Sequence, residues 1–195
     1  MTKIKFCGLK TLEDIYYANE ILPEYVGFVF APKSKRYVTP AQAEKFRNAL
    51  SKKICAVGVF VNEKLSTVVE LLNAGIIDAA QLHGNEDDVY IKNLRGLSNK
   101  LIIKAFKVHA AEESLADFIL IDAGAGDGKV FDWSLIKNLR REYFLAGGLT
   151  PENVSDAIKL LNPFAVDVSS GIETDGKKDF SKMKAFADAV RKDFL

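Results

Sequence analysis

Lys3-Ile4-Lys5-Phe6-Cys7, then Thr11 to Ile21 with apolar residues at helical spacing, then Tyr25-Val26-Gly27-Phe28-Val29-Phe30: this opening stretch reads as strand, helix, strand. A period of two gives way to a period near 3.6 and then returns. Two mostly apolar strands joined through a helix run parallel with a right-handed crossover, and the helix covers their outer face. The pattern continues to the end of the chain. Eight strands are expected, at Lys3 to Cys7, Tyr25 to Phe30, Ile54 to Val61, Ala79 to His83, Leu101 to Lys107, Phe118 to Asp122, Tyr143 to Ala146 and Phe164 to Val168. Helices are expected at Thr11 to Ile21, Pro40 to Leu50, Leu65 to Asn73, Glu86 to Asn93, a short one near Ala110, Trp133 to Leu139, Pro151 to Leu161 and Phe180 to Arg191. Thr39-Pro40 and Thr150-Pro151 each set a hydroxyl before a proline, the arrangement of an N-cap and a first helical residue.

Eight strand-helix repeats form a parallel sheet that either stays open or closes on itself, and the count of eight favours closure. The expected fold is therefore α/β, a single-domain (β/α)8 TIM barrel spanning residues 1–195. Such barrels run from roughly 200 residues upward, so the loops must be short and the fifth helix, between Val108 and Asp117, reduced.

Composition narrows the function. Apolar residues make up 48% of the 195, enough for one continuous core, and 27 Lys plus Arg nearly cancel 26 Asp plus Glu. Without a basic block there is no footprint for nucleic acid or an anionic membrane, so the expected partner is a small molecule. The first residues enter a strand pattern at once, without a secretory leader, and no apolar run approaches the ~20 residues of a membrane span. A cytoplasmic location is expected. Two cysteines, Cys7 and Cys55, are too few for a disulfide framework.

In a barrel the reactive groups gather where strands end and the following loops begin. Cys7 closes the first strand, and alternation puts Lys5 on its side, facing inward, while Ile4 and Phe6 face the helices. An ammonium there should lower the thiol toward the range where it abstracts a proton. A lone cysteine is more often a small buried apolar residue, which is how Cys55, at the start of its strand, is read. Asp122 ends the apolar run Phe118-Ile119-Leu120-Ile121 at the mouth and opens a glycine-rich loop, Ala123 to Gly128. Partial burial would raise its pKa and suit a general acid, though a turn-capping aspartate reads the same way. Gln81 and His83 end the fourth strand on this rim, and Asp167 sits on the eighth. Gly147-Gly148 after strand seven and Ser169-Ser170-Gly171 after strand eight stand where barrels build a phosphate site from backbone N–H groups. Within Lys33-Ser34-Lys35-Arg36 after strand two, Arg36 is favoured for an anion because a guanidinium grips a carboxylate in bidentate fashion. The histidines, His83 and His109, have no ligand partners at metal-binding spacing, so no metal is expected.

Taken in order, Lys5-Phe6-Cys7-Gly8-Leu9, Gly27-Phe28-Val29-Phe30 with Lys33 to Tyr37, Gly58-Val59-Phe60-Val61-Asn62, Gln81-Leu82-His83-Gly84, Phe131-Asp132-Trp133, Ala146-Gly147-Gly148-Leu149 and Val166 to Gly171 resemble the phosphoribosylanthranilate isomerases of tryptophan biosynthesis. The resemblance covers nearly the whole chain. It implies an Amadori rearrangement of an aminoaldose to an aminoketose without cofactor or metal, in a monomer or homodimer. It also implies an acid at Asp122 that protonates the furanose ring oxygen and a base at Cys7 that removes the C2 proton. Arg36 is then expected on the anthranilate carboxylate, Lys5, Gln81, His83 and Asp167 around the substrate, and the two glycine loops on its phosphate. Lys10 departs from the threonine many members carry.

Two other readings compete. The sibling isomerase of histidine biosynthesis, acting on a substrate with two phosphates, is expected to use two aspartates, and Cys7 stands against it. A phosphate-binding barrel without catalysis would have no need of both Cys7 and Asp122.

Overall fold

The computed structural model describes residues 1–107, 114–122, 139 and 141–192. The fifth helix expected near Ala110, the loop Ala123 to Gly128, His109, the Phe131-Asp132-Trp133 motif and the helix expected from Trp133 lie outside the described residues. Eight parallel strands close into a barrel: β1 (Lys3–Cys7), β2 (Tyr25–Val29), β3 (Cys55–Phe60), β4 (Ala79–Leu82), β5 (Leu101–Lys107), β6 (Phe118–Asp122), β7 (Tyr143–Ala146) and β8 (Ala165–Val168). Each pairs with the next, and β1 returns to β8 with Lys5 opposite Asp167. The described helices are α1 (Leu12–Ile21), α2 (Pro40–Ala49), α3 (Leu65–Asn73), α4 (Asp88–Leu97), α5 (Val154–Leu161) and α6 (Phe180–Lys192).

Alternation along the strands sorts the side chains into two cores. Ile4, Phe6, Val26, Phe28, Ala80 and Leu82 face outward and pack under helix residues such as Ile15, Phe46, Leu71, Leu94 and Phe186. Tyr25, Val57, Ala79, Ile103, Leu120, Phe144 and Ala165 fill the interior. Each fully buried large apolar side chain contributes about 1.5–3 kcal/mol. The amino-terminal end of the interior is floored by rings: Phe118 stacks on Phe164 at 4.5 Å, Tyr25 meets Phe144 edge-on at 5.3 Å, and the Lys3 ammonium lies 4.4 Å from the Phe164 centroid. Toward the carboxyl-terminal end the residues shrink to Cys7, Val29 and Val59, which leaves space above them.

The capping signals divide. Thr39 is the N-cap ahead of Pro40, as its sequence predicts, and it also closes a full capping box with Gln42. Thr150-Pro151 does not begin a helix: the segment is a turn in which Asn153 accepts from the Thr150 N–H, and α5 starts at Val154. Helix α4 also begins later than the sequence predicts. Glu86 is taken up by the backbone N–H groups of Asn62 and Gly84, which leaves Asp87 as the N-cap.

After β8 the chain makes one 3-10 turn, Ser170–Ile172, and then a small hairpin of β9 (Glu173–Thr174) and β10 (Lys177–Lys178). Asp175 and Gly176, at φ of 51° and 73°, form its two-residue turn, which needs the left-handed backbone twice. No helix among the described residues is long and apolar enough to cross a membrane.

Candidate active site

The carboxyl-terminal rim opens on a cavity of about 530 Å³, and most of the residues singled out from the sequence meet there. Cys7, Arg36, Gln81, His83, Asp122, Gly147, Gly148, Asp167, Ser169 and Ser170 line it. Hollows of about 510 and 560 Å³ elsewhere, at the start of β7 and at the ends of α3 and α4, are of similar size, but no cysteine or histidine among the described residues lines them. Chemistry, not size, separates the three.

Lys5 and Gly171 stand behind this lining. Lys5 is completely buried and donates to Asp167 at 2.9 Å. Burial alone would lower it, but Asp167 and Cys7 outweigh that and hold the ammonium above its ordinary pKa. Cys7 and Asp167 line the cavity, and Lys5 stands behind them. A Cβ on Gly171 would collide with the Leu149 carbonyl, so glycine lets the loops after β7 and β8 touch. Gly147 and Gly148 both adopt positive φ, 97° and 65°.

The thiol departs from expectation. Burial pushes Cys7 up, and although Lys5 and Lys178 pull it down, the net direction is upward. A nearby ammonium does not lower the thiol below its ordinary value when the same barrel that supplies it also removes the water. Space for the sulfur comes from Gly27, the register partner of Cys7, where a Cβ would lie 2.8 Å from Sγ. Cys55, at the opposite end of the barrel, is held near 12, first by burial and then by Asp78, as an inert thiol.

Across the cavity, Asp122 ends β6 with its side chain about one third exposed, and its Oδ2 lies 3.7 Å from His83 Nε2. His83 Nδ1 is 3.0 Å from the side-chain nitrogen of Gln81, whose Oε1 is buried and has no partner among the described residues. Among the described residues no three His, Cys, Asp or Glu side chains form a metal-binding group.

Arg36 grips a carboxylate in bidentate fashion, but an internal one: Nε and Nη2 each donate to Glu173 at 2.7 Å. Lys178, also buried, donates to Glu173 at 2.7 Å and to the Ser169 carbonyl at 2.9 Å, and Ser169 Oγ donates to the Cys7 carbonyl at 3.0 Å. Neither Glu173 nor Lys178 stood out in the sequence. The signal was there in Glu173-Thr174-Asp175-Gly176-Lys177-Lys178, where Asp-Gly between short polar flanks marks a tight hairpin.

A closed barrel with a thiol, a histidine and carboxylates gathered at the carboxyl-terminal rim, beside two glycine-bearing loops, defines the class of a (β/α)8-barrel enzyme. A family model described as N-(5'phosphoribosyl)anthranilate (PRA) isomerase matches residues 4–189. An N-(5'-phosphoribosyl)anthranilate isomerase of Endomicrobium trichonymphae is 45% identical, over 94% of this chain and 95% of its own. A phosphoribosyl anthranilate isomerase solved in complex with reduced 1-(o-carboxyphenylamino)-1-deoxyribulose 5-phosphate superposes with a TM-score of 0.85 at 37% identity, covering 98% of this chain and 100% of the other. A structure of monomers of the dimeric enzyme from Thermotoga maritima gives 0.83 at 37% identity, covering 98% and 99%. The chain belongs to the N-(5'-phosphoribosyl)anthranilate isomerase family.

Proposed function

We propose that this chain, as one barrel domain in the cytoplasm, converts N-(5-phosphoribosyl)anthranilate to 1-(2-carboxyphenylamino)-1-deoxyribulose 5-phosphate in tryptophan biosynthesis, with Cys7 as general base and Asp122 as general acid. The observation that carries the reading is that these two side chains, from strands one and six, line one cavity together with the glycine loops after strands seven and eight. A reducing compartment suits a mechanism that needs Cys7 as a free thiol.

The chemistry follows from proton bookkeeping. Asp122, protonated, donates to the furanose ring oxygen; the C1–O bond breaks and the anthranilate nitrogen lone pair forms a C=N⁺ bond. The Cys7 thiolate takes the proton from C2, the C–H electrons move toward the iminium, and the resulting enolamine tautomerises to the ketone. Turnover leaves Cys7 protonated and Asp122 ionised, so a proton must return across the cavity, and His83 beside Asp122 is placed to share it. The backbone N–H groups of Gly147, Gly148, Ser169, Ser170 and Gly171 hold the substrate phosphate, and Arg36 meets the anthranilate carboxylate. Gln81 and Asp167 orient the ribose, with Gln81 Oε1, which has no partner among the described residues, accepting a hydrogen bond from a hydroxyl. No cofactor enters, and the working unit is a monomer or homodimer.

The test generates the unstable substrate in place from anthranilate and phosphoribosyl pyrophosphate with a transferase and follows its fluorescence. Protein-dependent loss of the signal is expected; a trace that does not change on adding the chain would overturn the reading.

A further inference from the structure

Resting on the reading that Arg36 meets the substrate carboxylate, we propose that Glu173 is a positioning residue that sets the selectivity of the site for a carboxylated aromatic amine. Glu173 does not line the cavity; it stands behind Arg36, which does. By engaging Nε and Nη2 at 2.7 Å each, it fixes the plane of the guanidinium and leaves Nη1 as the nitrogen it does not hold, on a side chain that lines the cavity. A free arginine on an exposed loop spreads over many rotamers, and ordering it on binding costs affinity. Here the cost is met in the unliganded fold.

Glu173 is itself fixed. Its side chain is 10% exposed and that of Lys178 1%, and Lys178 ties it to the Ser169 carbonyl. Burial alone would raise the Glu173 pKa, but Arg36 and Lys178 outweigh it and hold the carboxyl at about 2. It is therefore ionised wherever the enzyme works. Two cations on one carboxylate leave one net positive charge at this corner, which an incoming carboxylate can neutralise. With Arg36 removed, the same carboxylate would instead face the ligand with one positive charge fewer to offset it.

The experiment measures affinity for two ligands: reduced 1-(o-carboxyphenylamino)-1-deoxyribulose 5-phosphate and the same compound without its ring carboxyl. Glu173→Gln is expected to weaken the carboxylated ligand ~10-fold and to raise KM similarly, with kcat within ~3-fold and the other ligand within ~2-fold. Arg36→Met is the control on the underlying reading. If Arg36→Met weakens both ligands alike or neither, Arg36 does not meet the carboxylate and both ideas fall together. If Arg36→Met discriminates but Glu173→Gln does not, only the role given to Glu173 is overturned. Equal weakening of both ligands by Glu173→Gln would mean a merely structural part and also overturns it. Because that change strands the buried Lys178 ammonium, Glu173→Gln/Lys178→Met is measured beside it, and a discriminating loss in whichever variant folds supports the proposal.

Discussion

Cys7 and Cys55 are chemically the same residue and differ only in which end of a strand they occupy. Cys7→Ala is expected to cut turnover by ~10²-fold or more with the barrel intact, the loss typical of a general base. Cys55→Ala should keep activity within twofold and lower stability by ~1 kcal/mol, the scale of a small cavity. Turnover and thermal melts on both variants check this, and equal activity would remove Cys7 from the mechanism. The position of Cys7 was legible from strand alternation. The direction of its pKa was not, because desolvation depends on what the other seven strands bring over it, while local sequence shows only Lys5 two residues away. The mechanism needs Asp122 protonated and Cys7 ionised at once, so the pair works while it holds one proton and kcat/KM should be bell-shaped, with an alkaline limb that reports the thiol and lies high because burial raises it. Lys5 pulls the thiol down and Asp167 pushes it up. Lys5→Met removes the first and leaves the second without its ammonium, so the limb should move to higher pH. A limb that stays or moves down would separate Lys5 from the base. The variant should also lose about 3–5 kcal/mol, the usual cost of stranding one partner of a buried pair.

At the scale of elements, β1, β5, β6 and β7 run between the residues that the sequence pattern assigns, β6 and β7 as apolar runs and β1 and β5 with lysines set among apolar residues. At the start of α4 a tertiary partner moved the bound. Glu86 resembles a first-turn helix residue, yet it anchors the Asn62 and Gly84 backbone and accepts the Lys104 ammonium at 3.3 Å, and α4 begins after it. Leu94 and Leu97 continue that helix past Asn93, with Gly96 carried inside it. Gly27 shows an element serving the site. Its backbone is ordinary, so only space is at stake, and Gly27→Ala puts a methyl group against Sγ and the Cys7 backbone. The expected result is a fall in kcat larger than the 1–3 kcal/mol overpacking cost in stability would explain, read by comparing turnover with urea melts. Unchanged kcat would mean that the thiol position is not critical. The hairpin that carries Glu173 depends on its turn: Gly176→Ala, at φ of 73°, should cost ~1 kcal/mol locally and raise KM before it affects kcat.

Over the whole molecule, the aromatic floor closes one end of the barrel and leaves chemistry to the other. Hydrophobic pattern was enough to find that architecture, since eight repeats with short connections have few ways to bury both faces of every strand. It was not enough to find the ion network that ties the loop after β2 to the hairpin after β8, because Arg36 and Glu173 are 137 residues apart. That network makes a prediction about acid. Glu173 falls from an ordinary 4.5 to about 2 on folding, so the unfolded chain binds its proton first as pH drops. Its contribution is therefore fully present above about pH 4.5 and is lost as pH falls toward 2, on the order of 3 kcal/mol over the window. Urea melts of the native chain between pH 5 and 2 should show that decline on top of what other carboxylates contribute. Glu173→Gln, which has no proton to take up, should be less stable at pH 7 but follow a flatter slope, with the two curves converging near pH 2. Parallel curves would mean that Arg36 and Lys178 hold the carboxylate no more tightly in the fold than water does outside it.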